Sequence, residues 1–98
     1  MFARVSTYRG GTDRLLEGFR RTTEPLAQLD GFEHAYFLTD ADSGRSMTMT
    51  VWDSRSAMDA SAEWAEKARE HARHDSGAVV ESVTGFQVAH IAEKPVLR

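Results

Sequence analysis

The chain has 98 residues and no cysteine; 41% of its residues are hydrophobic, 28% are charged, and the formal net charge is −3. This length and composition are typical of one globular domain, which we predict over residues 1–98. The missing cysteines exclude a disulfide framework, a thiol nucleophile and a cysteine-based zinc site, and the negative charge disfavours nucleic acid as a partner. The sequence has no apolar run of about 18 residues and its start lacks the apolar core of a signal peptide, so we expect a cytoplasmic protein with no membrane association.

A strand and a helix are predicted first. Residues 2–8 combine β-branched and aromatic side chains and end at two glycines, which indicates a strand. Residues 12–30 change to helical spacing. Four of its apolar residues fall on one helical stripe: Leu15, Phe19, Leu26 and Leu29. Thr12 is the candidate N-cap, Pro25 is expected to kink or loosen the last turns, and Gly31 is expected to end the helix.

A β-hairpin is predicted next. Residues 32–39 and 45–52 have strand character, and turn-forming residues separate them. Strict alternation places four side chains of the first strand on one face: Phe32, His34, Tyr36 and Leu38. The second strand ends at Trp52, directly before a helix start. We interpret Trp52 first as a packing residue between strand and helix, and second as a wall of a ligand site.

An alanine-rich helix and a final strand complete the pattern. The helix is predicted over residues 57–74, capped by Asp53, Ser54 or Ser56 and ended by Ser76-Gly77. Five of its residues share a face: Ala57, Ser61, Trp64, Ala68 and His71. The strand is predicted over residues 78–92, with a bulge or bend at Gly85.

The element order predicts an α+β fold. A β-α-β-β-α-β series with right-handed crossovers gives the ferredoxin-like arrangement, a four-stranded antiparallel sheet with two helices on one face. Apolar residues occur at both parities of the strands, so the second sheet face is also apolar and needs a cover. We therefore predict a homodimer in which two copies pack sheet against sheet.

A family resemblance rests on residues 29–61. The pattern is a glycine after the first helix, a strand, an Asp/Gly turn, a strand ending in tryptophan, a polar residue, a serine and a helix start of small residues. Its members are Gly31, Gly44, Trp52, Asp53, Ser54 and Ala57. With the element order and the length, the pattern resembles the antibiotic biosynthesis monooxygenases, and the resemblance covers nearly the whole chain. It implies a dimeric α/β barrel. That family includes cofactor-free oxygenases of aromatic polyketides, quinol oxidases, haem degraders and isomerases, so the resemblance specifies the fold better than the reaction.

The haem-degrading branch of the family matches this chain at one position of three. That branch would place an asparagine at Ser6 or Thr7, a tryptophan at Ser61 and a histidine at His71. Only His71 matches. We therefore expect no haem, and the lack of phosphate-binding glycine motifs and of a clear ligand set leads us to expect no flavin and no native metal either.

A small-molecule site is predicted beside the second helix. The small residues of that helix either allow close packing on the sheet or leave a cavity walled by Trp52, Trp64 and Tyr36. Ser61 faces the same region and is a further candidate contact for a hydrophobic or aromatic ligand.

Histidines are the candidate general bases. His71 lies two turns beyond Trp64 and can take a proton near neutral pH, although an imidazolium is also favoured structurally at a helix C-terminus. His34 and His90 are alternative bases or packed histidines. The i,i+3 spacing of His71 and His74 beside Asp75 is a weak metal signal that favours chance binding over a native site.

Three functions fit these residues. The first is a small cofactor-independent monooxygenase that oxidises an aromatic, polyketide or quinol-like substrate, with His71 as the base. The second is a non-catalytic binding or accessory dimer of the same fold, and the third is an isomerase or cyclase that uses the same pocket without oxygen.

Overall fold

Residues 1–96 are described by the structure, a computed structural model. The elements are β1 (Phe2–Arg9), α1 (Thr12–Ala27), β2 (Phe32–Asp40), β3 (Arg45–Trp52), α2 (Arg55–Ala60), α3 (Ala62–Ser76) and β4 (Val79–Gln87). The strands form one antiparallel sheet in the order β2-β3-β1-β4. This topology confirms the ferredoxin-like prediction, with the second helical region divided in two. None of the helices within residues 1–96 has the length and hydrophobicity that a membrane crossing requires.

All the helices pack on one face of the sheet. Two clusters of buried residues join the helices to this face: Tyr8, Leu15 and Ala78, and Leu26, Trp52 and Met58. Alternation along β1 directs Phe2, Arg4, Ser6 and Tyr8 to the same side. The paired residues of β3 that share this side are Trp52, Thr50 and Thr48. We call this the helix face, and the opposite side the outer face.

The predicted alternation of the hairpin is wrong at its first residue. Phe32 pairs with Trp52, but the next pair is His34 with Val51, so Glu33 is an extra residue in β2. Because one inserted residue reverses which side the following residues face, Phe32 packs on the helix face while Tyr36 lies on the outer face. The four side chains expected on one face are therefore divided between two.

The second helix is interrupted at Ser61. Ser54 caps α2, since its hydroxyl accepts a hydrogen bond of 3.1 Å from the Ala57 amide, which confirms one of the three predicted caps. At Ser61 the backbone has φ −84° and ψ −4°, and its side-chain hydroxyl donates to the Met58 carbonyl at 2.7 Å. A serine hydroxyl that bonds a carbonyl one turn back competes with the helical ladder. The single helix predicted over residues 57–74 is thus two helices.

The last strand is shorter than predicted. It ends at Gln87, which pairs with Phe2, the first residue of β1. One further bond joins the Val88 amide to the Met1 carbonyl at 2.9 Å. The bulge lies at Glu81, not Gly85, because the register passes from Ser82 to Val80 there.

The ends of α1 also differ from the prediction. Gly11, not Thr12, is the N-cap, and it provides no side-chain bond. The helix ends at Ala27, and the Gln28 amide bonds the Pro25 carbonyl at 3.2 Å in a tighter final turn. Proline has no amide hydrogen to continue the ladder, which fits an end soon after Pro25.

Candidate functional site

A cavity of about 540 Å³ lies between the helix face of the sheet and the helices α1 and α3. This volume falls in the range of sites that hold drug-sized organic molecules. Strands β1 and β3 provide the floor with Arg4, Ser6, Tyr8, Thr48 and Thr50. The helical walls include Leu15, Phe19, Leu26, Trp64, Ala68, Arg69 and His71. The cavity is therefore apolar on much of its wall and polar on its floor.

Tyr8 places a buried phenol on the cavity floor. Only 4% of the residue is exposed, and the side chains of Ser6 and Thr48 lie on the same face of the sheet. Burial raises the pKa of Tyr8, while Thr48, the positive charge of Arg69 and Ser6 oppose that rise to a smaller extent. The phenol is consequently protonated at neutral pH and can donate a hydrogen bond to a ligand oxygen.

Arg4 joins the floor of the cavity to the interruption of the second helix. Its Nη1 donates to the Ser61 hydroxyl oxygen at 3.0 Å, and its Nη2 donates to the Met58 carbonyl at 2.6 Å. Ser61 is 4% exposed. These bonds hold the guanidinium in a half-buried position at the cavity. The predicted ligand contact Ser61 therefore lies behind Arg4 and does not line the cavity.

Arg69 brings a second half-buried positive charge to the same place. Burial, and then the positive charge of Arg69, lower the pKa of Arg4, and the carboxylate of Asp59 opposes them to a smaller extent. Asp59 itself pairs with Arg55 at 3.8 Å. The two guanidinium groups are thus close enough to repel each other at the cavity.

Two of the predicted site residues line the cavity. Trp64 is half-buried, packs against the cluster of Leu26, Trp52 and Met58, and also faces the cavity. His71 lies farther along α3 and is exposed at the cavity edge. The helical spacing that grouped Trp64 with His71 in the sequence corresponds to a common wall in the structure.

Trp52 and Tyr36 lie elsewhere. Trp52 is fully buried beneath the cavity in the second core cluster, where its Nε1 donates to the Thr50 hydroxyl at 3.0 Å and its ring meets Phe32 edge-on at 5.6 Å. Tyr36 is 51% exposed on the outer face, with its ring 5.2 Å from that of His34. The sheet separates Tyr36 from Trp64, so the three aromatic residues do not wall one cavity.

The remaining histidines do not line the cavity. His34 is on the outer face, and His90 follows the end of β4. His74 Nδ1 lies 3.6 Å from the Asp75 carboxylate at the end of α3. Within residues 1–96, no group of three histidine, aspartate or glutamate side chains is arranged to hold a metal ion.

Sequence reasoning missed Arg4, Tyr8 and Arg69. The signal for the first two was present, because Arg4, Ser6 and Tyr8 alternate along a strand that also carries the apolar Phe2. A charged residue at an inward position of a strand indicates a site. Arg69 follows Ala65 by one helical turn, but nothing in its spacing distinguishes it from Arg73, the other arginine of α3.

Comparison with known proteins agrees with this architecture. The chain superimposes on SnoaB, a cofactor-independent oxygenase from Streptomyces nogalater, with a TM-score of 0.75 and 16% identity over 95% of this chain and 97% of that one. It superimposes on MhuD, a haem degrader from Mycobacterium tuberculosis, with a TM-score of 0.69 and 19% identity over 95% of this chain and 100% of that one. At such identities the likeness concerns the fold. No curated protein matches the chain in sequence.

A sequence model of one family does match. The model of the antibiotic biosynthesis monooxygenases covers residues 1–63, which include β1, α1, the hairpin, α2 and the start of α3. This stretch is more than half of the 98 residues and contains the tryptophan-ended strand and the small-residue helix start. The chain therefore belongs to the antibiotic biosynthesis monooxygenase family.

Proposed function

We propose that this protein is a cofactor-independent monooxygenase that oxidises a hydroxylated aromatic, polyketide or quinol-like substrate in the cavity between sheet and helices. The observation that carries the proposal is the composition of that cavity. A buried phenol and a half-buried guanidinium form its floor, and an indole and an imidazole lie on one wall: Tyr8, Arg4, Trp64 and His71. Likeness of fold to the oxygenase SnoaB adds support from analogy.

The chemistry requires little from the protein because the substrate is the electron donor. A base removes a proton from a phenol or from an activated ring carbon, and the resulting electron-rich anion reduces O₂. For a methylene carbon between aromatic rings, the methylene and one O₂ become a carbonyl and one water, so atoms and electrons balance. The protein must bind the aromatic rings, take the proton and stabilise the anion.

The cavity residues suit these three tasks. Trp64 and the apolar wall of α1 offer surface for aromatic rings. His71 is the proposed base, since imidazole exchanges a proton near neutral pH and the side chain reaches the cavity from its exposed edge. Tyr8 is the proposed donor to the substrate oxygen, and the positive charge of Arg4 favours the anion.

Oxygen consumption with a panel of anthrones and quinols tests this function. We expect uptake that the purified chain sustains without added cofactor. The His71→Ala variant should lower the rate roughly 10²–10⁴-fold as a lost general base, and Tyr8→Phe roughly 10²–10³-fold as a lost donor to developing negative charge. The matched controls are His34→Ala and Tyr36→Phe, because both residues lie on the outer face and should leave the rate unchanged.

Other outcomes would identify the competing functions. Binding of the panel compounds with no oxygen uptake would indicate a non-catalytic binding module. Conversion of a compound with no oxygen consumed would indicate an isomerase or cyclase. Equal loss of rate in His34→Ala and His71→Ala would remove His71 from the role of base.

We also propose that the protein is a homodimer formed through the outer face. Large apolar side chains on that face are half-exposed: Tyr36 at 51%, Leu38 at 48%, Val79 at 49% and Phe86 at 52%. The register places them all on the side away from the helices. Exposed apolar side chains on both edge strands of one sheet face are typical of an interface, and a second copy offers the same apolar surface in return.

A further inference from the structure

Positive charge is concentrated around the cavity. Its lining includes five cationic side chains, Arg4, Arg14, Arg21, Lys67 and Arg69, and one acidic one, Asp75. The chain as a whole has a net charge of −3, so this surface has the opposite sign to the molecule. Such local excess of one sign attracts ligands of the other sign.

Among residues 1–96, no carboxylate lies within ion-pair distance of the cavity arginines. The ion pairs among residues 1–96 involve Arg9, Arg55, Lys67, Arg73 and His74, and none of the four cavity arginines is among them. Arg14 donates instead to the backbone carbonyl of Asp75 at 3.3 Å. Arg4 uses two of its donors on the neutral acceptors Ser61 and Met58.

Two of the four cavity arginines are partly shielded from solvent. Arg4 and Arg69 are half-buried, whereas Arg14 and Arg21 are exposed on α1. Like charges that are partly removed from water destabilise each other unless an anion lies between them. The guanidinium group presents paired donors that match the two oxygens of a carboxylate.

We infer that the cavity selects an aromatic substrate that carries a carboxylate, and that Arg4 and Arg69 bind this acid group while the apolar wall and Trp64 hold the rings. The inference rests on the proposed function, because it names the class of substrate for the same cavity. It makes Arg69 a specificity-determining residue. Arg14, Arg21 and Lys67 lie at exposed positions around the cavity and favour the approach of an anion.

The test compares two ligands that share their aromatic rings but differ in charge, a carboxylate and its neutral methyl ester. Anthraquinone-2-carboxylate and its methyl ester share the rings, and neither has a proton for the enzyme to remove. Isothermal titration calorimetry at neutral pH and low ionic strength should show the acid binding roughly tenfold or more tightly than the ester, as expected for hydrogen bonds to a charged group. Added salt should weaken the binding of the acid and leave that of the ester nearly constant.

A pair of variants assigns the effect to the cavity. Arg69→Gln should remove most of the preference for the acid and leave the affinity for the ester within about twofold. Arg20→Gln is the matched control, because it changes the net charge equally at an exposed residue of α1 that does not line the cavity. It should keep the preference. Circular dichroism verifies that both variants are folded, and the comparison of the two ligands on the unmodified chain needs no variant.

Each result bears on a distinct statement. Equal affinity for acid and ester would overturn the carboxylate inference. The arginines could then act only on the anion formed during the reaction, and the proposed binding of aromatic rings in the cavity would stand. If Arg69→Gln and Arg20→Gln reduced the preference for the acid equally, the inference would also be overturned, because the overall positive charge of the surface would then explain that preference. Binding of neither compound would overturn the carboxylate inference together with the aromatic cavity on which the proposed function rests.

Discussion

Trp52 illustrates how one residue joins strand, helix and core. It is the last residue of β3, fully buried, and it packs with Leu26 of α1 and Met58 of α2. Its single polar atom is satisfied within the chain by Thr50. A large rigid side chain in this position fills the space between α1 and α2 at the end of the strand, so its role in packing precedes any role toward a ligand.

Replacement of Trp52 should therefore be costly. We expect Trp52→Ala to lower the free energy of unfolding by about 3–5 kcal/mol, the usual cost of truncating a buried aromatic residue. Trp64→Ala should cost less, because Trp64 is only half-buried and part of it faces the cavity. Chemical denaturation of both variants measures the difference. Near-native stability of Trp52→Ala would show that packing is not its main role.

At the scale of elements, one junction connects the end of α1, the start of β2 and the end of β3. The Asp53 amide donates to the Gly31 carbonyl at 2.8 Å. Gly31 has φ +77°, and a Cβ there would lie 2.4 Å from the Ala57 Cβ and 2.6 Å from the Asp53 carboxylate oxygen Oδ1. Gly31 does not end the helix as predicted, since α1 stops at Ala27; its role is to let the chain pass close against α2.

This close approach predicts a difference between two glycine substitutions. Gly44 also has a positive φ, +70°, but a Cβ there would meet nothing within 4 Å. We expect Gly44→Ala to lower the free energy of unfolding by about 1–2 kcal/mol for the left-handed backbone alone, and Gly31→Ala to lower it by about 1–3 kcal/mol more through overpacking. Urea denaturation of the two variants side by side measures this. Equal decreases in the free energy of unfolding for the two variants would mean that the junction accommodates the added methyl group at Gly31 without strain.

At the scale of the whole molecule, the sheet divides two different surfaces. The helix face bears the cavity and its cationic lining, and the outer face bears half-exposed apolar side chains. One face is therefore suited to a small molecule and the other to a second copy of the chain.

Dimerisation follows from the outer face as a prediction. Light scattering at micromolar concentration should give about twice the chain mass of 10.9 kDa. Leu38→Glu should shift the protein toward the monomer, because a charge there would be buried against the partner. Val83→Glu is the control, since Val83 is similarly exposed at 44% against 48% for Leu38 but pairs with Ser6 and so belongs to the opposite side. A monomer mass for the unmodified chain would contradict the dimer.

Much of the fold and part of the site were predictable from the sequence. The period of the apolar residues located every strand and α1, and the helical spacing of Trp64 and His71 placed them correctly on one wall. Arg4 and Tyr8 were within reach of the same reasoning, because they alternate along β1 with Phe2. Tyr36 was misplaced because one extra residue, Glu33, reverses the alternation.

Local patterns by themselves determined which segments form strands and helices, because the periods of 2 and 3.6 residues are written along the chain. Only the tertiary structure decided that the last strand stops at Gln87, the last residue of β4 with a partner in β1. It also decided that Arg4 of β1 bonds Ser61 and the Met58 carbonyl, which adds to the local bond from the Ser61 hydroxyl where the second helix is interrupted. It likewise decided that Arg4 and Arg69, 65 positions apart in number, face one cavity. Contacts between residues distant in sequence carry no periodic signal, so they become visible only when the elements are packed together.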